Sequence, residues 1–236
     1  MGTMPDRPHD QLRPVSVELG FTESTPGSVL IAMGRTRVLC TASVDDDVPR
    51  WMRESNRGWV TAEYAMLPGS SNERIRRDHI TGGRAKEISR LIGRALRAAV
   101  DLSAMPEAMA RVDCDVIEAD GGTRTAAITG AWIALHQALA DAVDRDALAR
   151  NPVIDEIAAV SVGIVDGDMV LDLDYESDVR AEVDLNVVMS GRGLLVEVQG
   201  TAEGAPFSRQ DLEGLLDLAT GGIAELHDMQ RRAVAE

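Results

Sequence analysis

The order of sequence patterns predicts an α+β fold of mixed sheets with flanking helices. Three observations carry that expectation. Strand-like runs come in pairs joined by turn signals, early in the chain and again after residue 151. Between them the pattern reads helix, strand, helix. No Pro/Ser/Gly-rich tract divides the 236 residues, so 13–236 is expected to be one domain behind a polar, flexible segment over 1–12.

The elements follow in order. Val15–Leu19 alternates as a strand. Ser28–Met33 and Thr36–Val44 are β-rich runs joined through Gly34-Arg35, a hairpin signal. Trp59–Leu67 reads as another strand, closed by Pro68-Gly69, and 70–83 is a polar loop. Ile88, Leu91, Ile92, Ala95, Leu96, Ala99 and Val100 recur at the spacing of one buried helix face, with Arg90, Arg94 and Arg97 on a separate stripe. An apolar strand around Val112–Ile117 leads through Gly121-Gly122 into a helix over Thr125–Val143. Ile157–Val165 and Met169–Asp174 form a hairpin through Asp166-Gly167, a type I′ pair. Glu182–Met189 and Leu194–Gln199 form another. Ser208-Arg209-Gln210-Asp211 is a capping box opening a helix that Gly221-Gly222 is expected to break before a last helix.

Charge bounds the partners. Twenty-four basic residues face 39 acidic ones, a net charge of −15, which argues against a protein that simply coats polyanions. The distribution is uneven. Residues 74–97 hold eight basic side chains against Asp78 and Glu87, an island of net +6. Residues 141–186 hold thirteen carboxylates and three arginines. Aromatics are 3% of the chain, too few for an extended base-stacking platform. Cys40 and Cys114 sit in apolar runs as small core residues of a reducing compartment. No stretch approaches the ~18 apolar residues of a membrane span, and no signal-peptide pattern is present, so a cytoplasmic protein without membrane contact is expected.

The sharpest chemical signal is Ala119-Asp120-Gly121-Gly122-Thr123-Arg124-Thr125, set between a strand and a helix. Glycines admit a ligand close to the backbone, the helix start offers unpaired N–H groups, and Arg124 adds a planar cationic donor. The blander alternative is an ordinary strand–turn–helix connection. The turn is neither a Walker loop nor a GxGxxG loop. Arg84, after Gly82-Gly83 at the start of the basic helix, could share the same anion. A third cluster is Asp174, Glu176, Asp178, Glu182 and Asp184. Period two puts Glu182, Asp184 and Asn186 on one strand face, which is either wet or lines a cleft where a carboxylate serves as acid or holds Mg²⁺. The histidines, His9, His79, His136 and His227, show no metal spacing, and no GxSxG elbow is present, which argues against zinc and nucleophilic chemistry.

These motifs resemble a known family. His9-Asp10-Gln11-Leu12-Arg13-Pro14-Val15, Val38–Val44, Gly58-Trp59-Val60-Thr61-Ala62-Glu63-Tyr64, Glu87–Arg94, the Ala119–Thr125 block and Glu197-Val198-Gln199-Gly200-Thr201-Ala202-Glu203-Gly204 are similar to the signature blocks of bacterial ribonuclease PH, across residues 7–235. The resemblance implies the ribonuclease PH fold, related to the second domain of ribosomal protein S5. It implies a phosphate-dependent 3′→5′ exoribonuclease, a tRNA nucleotidyltransferase that trims tRNA precursors and other RNA 3′ ends and releases nucleoside diphosphates. It also implies a homo-hexamer built as a trimer of dimers, with Mg²⁺ as cofactor and inorganic phosphate as co-substrate. By motif position, Arg84, Gly122, Thr123 and Arg124 are its phosphate-binding residues. Asp178 and Asp184 are its catalytic and metal-associated carboxylates. Arg74 and Arg77 stand where the family grips RNA, and Arg90 is expected to join them. Four departures are visible: Gly69 replaces an arginine, the loop before Arg84 is about three residues short, Glu118 replaces a glutamine, and Ala85-Lys86 replaces a Thr-containing pair. Two rival readings are a hydrolytic, metal-dependent exonuclease and an inactive RNA-binding ring subunit.

Overall fold

The structure, a computed structural model, describes residues 7–76 and 82–235. The described residues form two sheets and four α-helices. The first sheet contains β1 (Val15–Leu19), β2 (Gly27–Met33), β3 (Thr36–Asp45), β4 (Trp59–Met66) and β5 (Met109–Glu118), in the order β1-β2-β3-β5-β4. All neighbours are antiparallel except β4 and β5, which run parallel and are connected through α1 (Gly83–Ala98). The second sheet is antiparallel, β7-β6-β8-β9, from β6 (Ile157–Val165), β7 (Asp168–Leu171), β8 (Ala181–Ser190) and β9 (Leu195–Ala202).

Helix α2 (Thr123–Asp144) lies between the sheets and touches both. That position explains its composition. Its buried residues include Ala126, Ile128, Ala131, Trp132, Ile133, Leu135 and Leu139, distributed around the helix instead of along one stripe. Helix α1 packs on β4 through the face that periodicity predicts, with Ile88, Leu91, Ile92, Ala95 and Leu96 buried. Helix α4 (Arg209–Ala235) covers β6 and β7. One apolar cluster runs through both sheets, from Val29 and Ile31 to Leu185 and Leu226.

Several expectations need correction. Residues 7–12 are held, not loose: the Arg7 guanidinium donates to the Leu171 and Asp172 carbonyls at 3.0 Å, and Leu171 N donates to His9 O at 2.7 Å. Helix α4 continues through Gly221-Gly222. Gly222 is where the helix presses on Leu12 and Leu171; an added Cβ would lie 2.8 Å from a Leu171 methyl. Strand β7 ends at Leu171, not Asp174, because Asp172 turns into the left-handed region (φ 55°) and reaches Arg13. The segment beyond forms a short helix that the pattern did not signal, α3 (Tyr175–Arg180), capped by the Asp174 side chain at Ser177 N. The capping box of α4 forms as expected, with Asp211 accepting from Ser208 N at 2.8 Å.

Candidate active site

The site is assembled where the β5–α2 turn meets β8 and α3. The turn needs its glycines. Gly121 and Gly122 both adopt positive φ, 74° and 63°. A Cβ at Gly121 would lie 2.5 Å from Leu173 O, so only glycine lets the turn rest on the segment that leads to α3. Behind the turn, Arg13 and Asp172 form a buried bidentate pair, Nε–Oδ2 2.9 Å and Nη2–Oδ1 2.7 Å. The Arg13 Nη1 also donates to Asp120 O at 2.5 Å, which ties the N-terminal segment, the turn and the acidic segment together.

Gly122 caps α2 and brings no side chain, so no side-chain acceptor covers the first-turn N–H groups. Their positive end faces the site. Thr123 sits in that turn with its Oγ1 2.8 Å from the hydroxyl of buried Tyr64. Burial pushes the Tyr64 phenol up, against the pull of Arg84 and Arg124, so it remains neutral and able to donate. Arg124 is largely buried. Its Nη1 donates to Gln199 Oε1 at 2.8 Å and to Glu87 Oε1 at 3.2 Å. Arg84, exposed in the first turn of α1, has no hydrogen bond or ion pair to a described residue.

The carboxylates stand opposite. Asp184 projects from β8 on the face that period two predicts, beside Thr201 of β9. Asp178, at the exposed rim, comes from α3. Loss of hydration raises the Asp178 carboxyl, Glu203 raises it further, and Arg84 and Arg124 pull it down. Asp184 is raised to about 6, by burial first and then by the Asp178 charge; Arg124 and Arg84 oppose. The same two arginines thus act on both carboxyls and on Tyr64, which puts all five side chains in one electrostatic neighbourhood. Two arginines and an uncapped helix start thus lie beside a carboxyl that holds a proton close to neutrality.

Among the described residues no group of three or more His, Cys, Asp or Glu is placed to hold a metal ion. Two mutually repelling carboxylates suit Mg²⁺, which takes one or two carboxylates together with substrate phosphates and water. Asp178 and Asp184 fit that pattern.

The structure therefore brings together Arg84, Thr123, Arg124, Asp178 and Asp184. Arg74 and Arg90 are exposed and share no hydrogen bond or ion pair with that group. Arg77 lies outside the described residues. Sequence reasoning assigned no role to Tyr64, Gln199 or Glu203. The motif blocks contain all three, but only the tertiary contacts bring them beside Thr123, Arg124 and Asp178. No helix among the described residues is long and apolar enough to cross a membrane.

Comparisons with known proteins agree with this architecture. Residues 11–140 match the 3′ exoribonuclease family, domain 1, and residues 155–222 match domain 2 of the same family. The ribonuclease PH of Rhodococcus erythropolis is 54% identical over 234 residues, covering 98% of this chain and 90% of that protein. Among solved structures, rice (Oryza sativa) Rrp46 superposes with a TM-score of 0.81 at 18% identity, covering 98% of each chain. The Archaeoglobus fulgidus exosome with RNA bound to the active site gives 0.80 at 22% identity, over 96% of this chain and 91% of that one. At these identities the two structures attest the fold.

Proposed function

The chain belongs to the ribonuclease PH family of 3′ exoribonucleases, and from that premise we propose how its residues carry out the reaction and on which RNA. It is a phosphorolytic exoribonuclease. The observation that carries the mechanism is that Arg84 and Arg124 act on both Asp178 and Asp184 beside the uncapped start of α2.

Arg84, Arg124, Thr123 and the first-turn amides of α2 bind inorganic phosphate and bring it against a second anion, the last phosphodiester of the RNA. Without close cationic donors, two anions would not approach to bonding distance. A phosphate oxygen attacks the phosphodiester phosphorus in line. The bond from phosphorus to the 3′ oxygen of the penultimate nucleotide breaks, and the product is a nucleoside diphosphate. The departing 3′ oxygen needs a proton. Asp184, with a pKa of about 6, retains one in a useful fraction of molecules near neutral pH and recovers it from solvent. Mg²⁺, held by Asp178 and, once its proton has left, by Asp184, would neutralise charge on the phosphoryl oxygens. Arg74, Arg77 and Arg90 hold the RNA backbone, which positions it without reading sequence.

We take the substrates to be the 3′ ends of tRNA precursors and the working form to be a hexamer, a trimer of dimers. We place the protein in the cytoplasm. There Cys40 and Cys114, register partners on β3 and β5, remain the buried free thiols they are in this fold. The test is to incubate the protein with Mg²⁺ and a 3′-tailed tRNA, with and without phosphate. Nucleoside diphosphates appearing only with phosphate are expected. Phosphate-independent release of monophosphates would identify a hydrolase instead, and no shortening at all would identify an inactive ring subunit.

A further inference from the structure

Arg124 reaches its position through partners from both halves of the chain. Its Nη1 takes both acceptors, Gln199 Oε1 on β9 and Glu87 Oε1 on α1. Its Nε and Nη2 donate to no described residue. One edge of the guanidinium is fixed to protein, and the other is left for an anion. Glu87 lies three residues after Arg84 on α1, so the same contact also orders the turn that carries the second arginine.

Gln199 is itself held. Its Nε2 donates to Glu197 Oε1 at 2.8 Å. Glu197 in turn takes a fork from Arg94 of α1, with Nε to Oε2 at 3.0 Å and Nη2 to Oε1 at 2.7 Å. This fixes the direction of the Gln199 amide. A carboxylate accepts only from the NH₂ end, so the carbonyl end must face Arg124, which only donates. The reverse orientation would set two donors against each other at Arg124 and two acceptors at Glu197. Gln199 also pairs with Asn186 in the β8–β9 register, two residues from Asp184 on the same face. The strand that grips Arg124 is thus hydrogen-bonded to the strand that carries the acid.

We propose that Gln199, oriented by Glu197 and Arg94, is a positioning residue that aims Arg124 at phosphate and fixes it relative to Asp184. This rests on the reading of Arg124 as a phosphate ligand. The consequence is selective: phosphate binding depends on Gln199, and grip on the RNA does not.

Two variants test it in the full-length protein. In Gln199→Leu the acceptor is gone, and loss of one charge-assisted hydrogen bond is expected to raise KM for phosphate about tenfold. The change in kcat is smaller, and RNA affinity measured without phosphate stays within about twofold. In Glu197→Gln the partner can accept or donate, so it no longer dictates which way the Gln199 amide points, and a rise of about threefold is expected. Protection of the fold by phosphate against thermal unfolding, which needs no turnover, should weaken in the same order. An unshifted phosphate KM in both variants overturns the proposal. So does a parallel loss of phosphate and RNA affinity, which would mean general loosening. If Gln199→Leu does not fold, Glu197→Gln decides by the same criteria. Wild-type protein without any phosphate dependence would remove the functional reading itself, whereas phosphorolysis with unshifted variants removes only the role of Gln199.

Discussion

Replacing Asp184 by asparagine should stabilise the fold while it abolishes the chemistry. Burial and the neighbouring Asp178 charge raise the Asp184 carboxyl from an ordinary 3.8 to about 6. The folded protein therefore holds this proton more tightly than the unfolded chain does. As pH rises from about 4 through 6 the unfolded chain releases its proton first, so stability falls through that window and levels off above it. About two pKa units correspond to about 3 kcal/mol. Asp184 is only partly buried, and solvent screening reduces the expected penalty to about 1–2 kcal/mol. The asparagine amide fills the same space as the carboxyl and never ionises. The Asp184→Asn protein should match wild type near pH 4, gain as pH rises toward 6, and stay about 1–2 kcal/mol more stable at pH 8. For a chain of this length that is a shift of about 3–6 °C in the unfolding midpoint. Loss of the acid should lower kcat by a factor of about 10² to 10⁴. Urea unfolding of metal-free wild type and variant at several pH values between 4 and 8, with phosphorolysis assayed alongside, measures both quantities. Equal pH dependence in the two proteins, or a variant less stable at pH 8, would refute the strained-carboxyl argument. Retained activity would remove Asp184 from the acid role.

Two further outcomes follow from the geometry of the turn. Asp172→Ala leaves the Arg13 guanidinium, 2% exposed, without its counter-charge, and the urea midpoint should report a loss of about 3–5 kcal/mol. Gly121→Ala forces a Cβ to 2.5 Å from Leu173 O at a φ of 74°. It should cost about 1–3 kcal/mol in unfolding experiments and weaken phosphate binding, because the turn must lift off the segment leading to α3.

Local patterns transmitted most of the fold. Strand β1 has the bounds that alternation predicts, and the Asp166-Gly167 turn has the positive φ values, 53° and 88°, of a type I′ pair. These features depend on neighbouring residues alone. Features that depend on distant residues were not legible. The β5–β4 neighbourhood is parallel and needs α1 as a crossover, so no turn signal announces it. Helix α3 has six residues and no buried face, so periodicity could not mark it. Gly221-Gly222 reads as a break by propensity, but the contact of Gly222 with Leu12 and Leu171 makes a small residue the better fit inside a continuous helix. The site divides in the same way. The Gly121–Arg124 turn is a local motif. The Arg13–Asp172 pair spans 159 residues, and the partners of Arg124 lie 37 and 75 residues away, so nothing in the spacing of either could have revealed them.

The basic island is also less uniform than its formal +6 suggests. Arg94 is neutralised by Glu197. Arg97 donates to Val60 O at 2.8 Å and lies 4.3 Å above the Trp59 ring, so the core of the first sheet uses it as packing. Arg124, outside the island in sequence, takes two acceptors on one nitrogen and keeps the rest of its donors for the site. The exposed cations on α1 without an ion pair to a described residue are Arg84, Lys86 and Arg90, all in its first half, and of these Arg84 acts on both carboxyls. The unpaired cations of α1 therefore gather at one end of that helix, and Arg124 of α2 adds its donors from the other side of the turn. Excess carboxylates elsewhere discourage unspecific RNA binding, which rises with every free cation. At Asp184 burial comes first and the Asp178 charge second in raising the carboxyl. Arginines placed close enough to bind phosphate also hold the carboxyl down, and burial plus Asp178 must outweigh them for the acid to keep its proton. Desolvation outweighs the arginines at Asp184, and hydrogen bonds to Gln199 and Glu87 fix one nitrogen of Arg124.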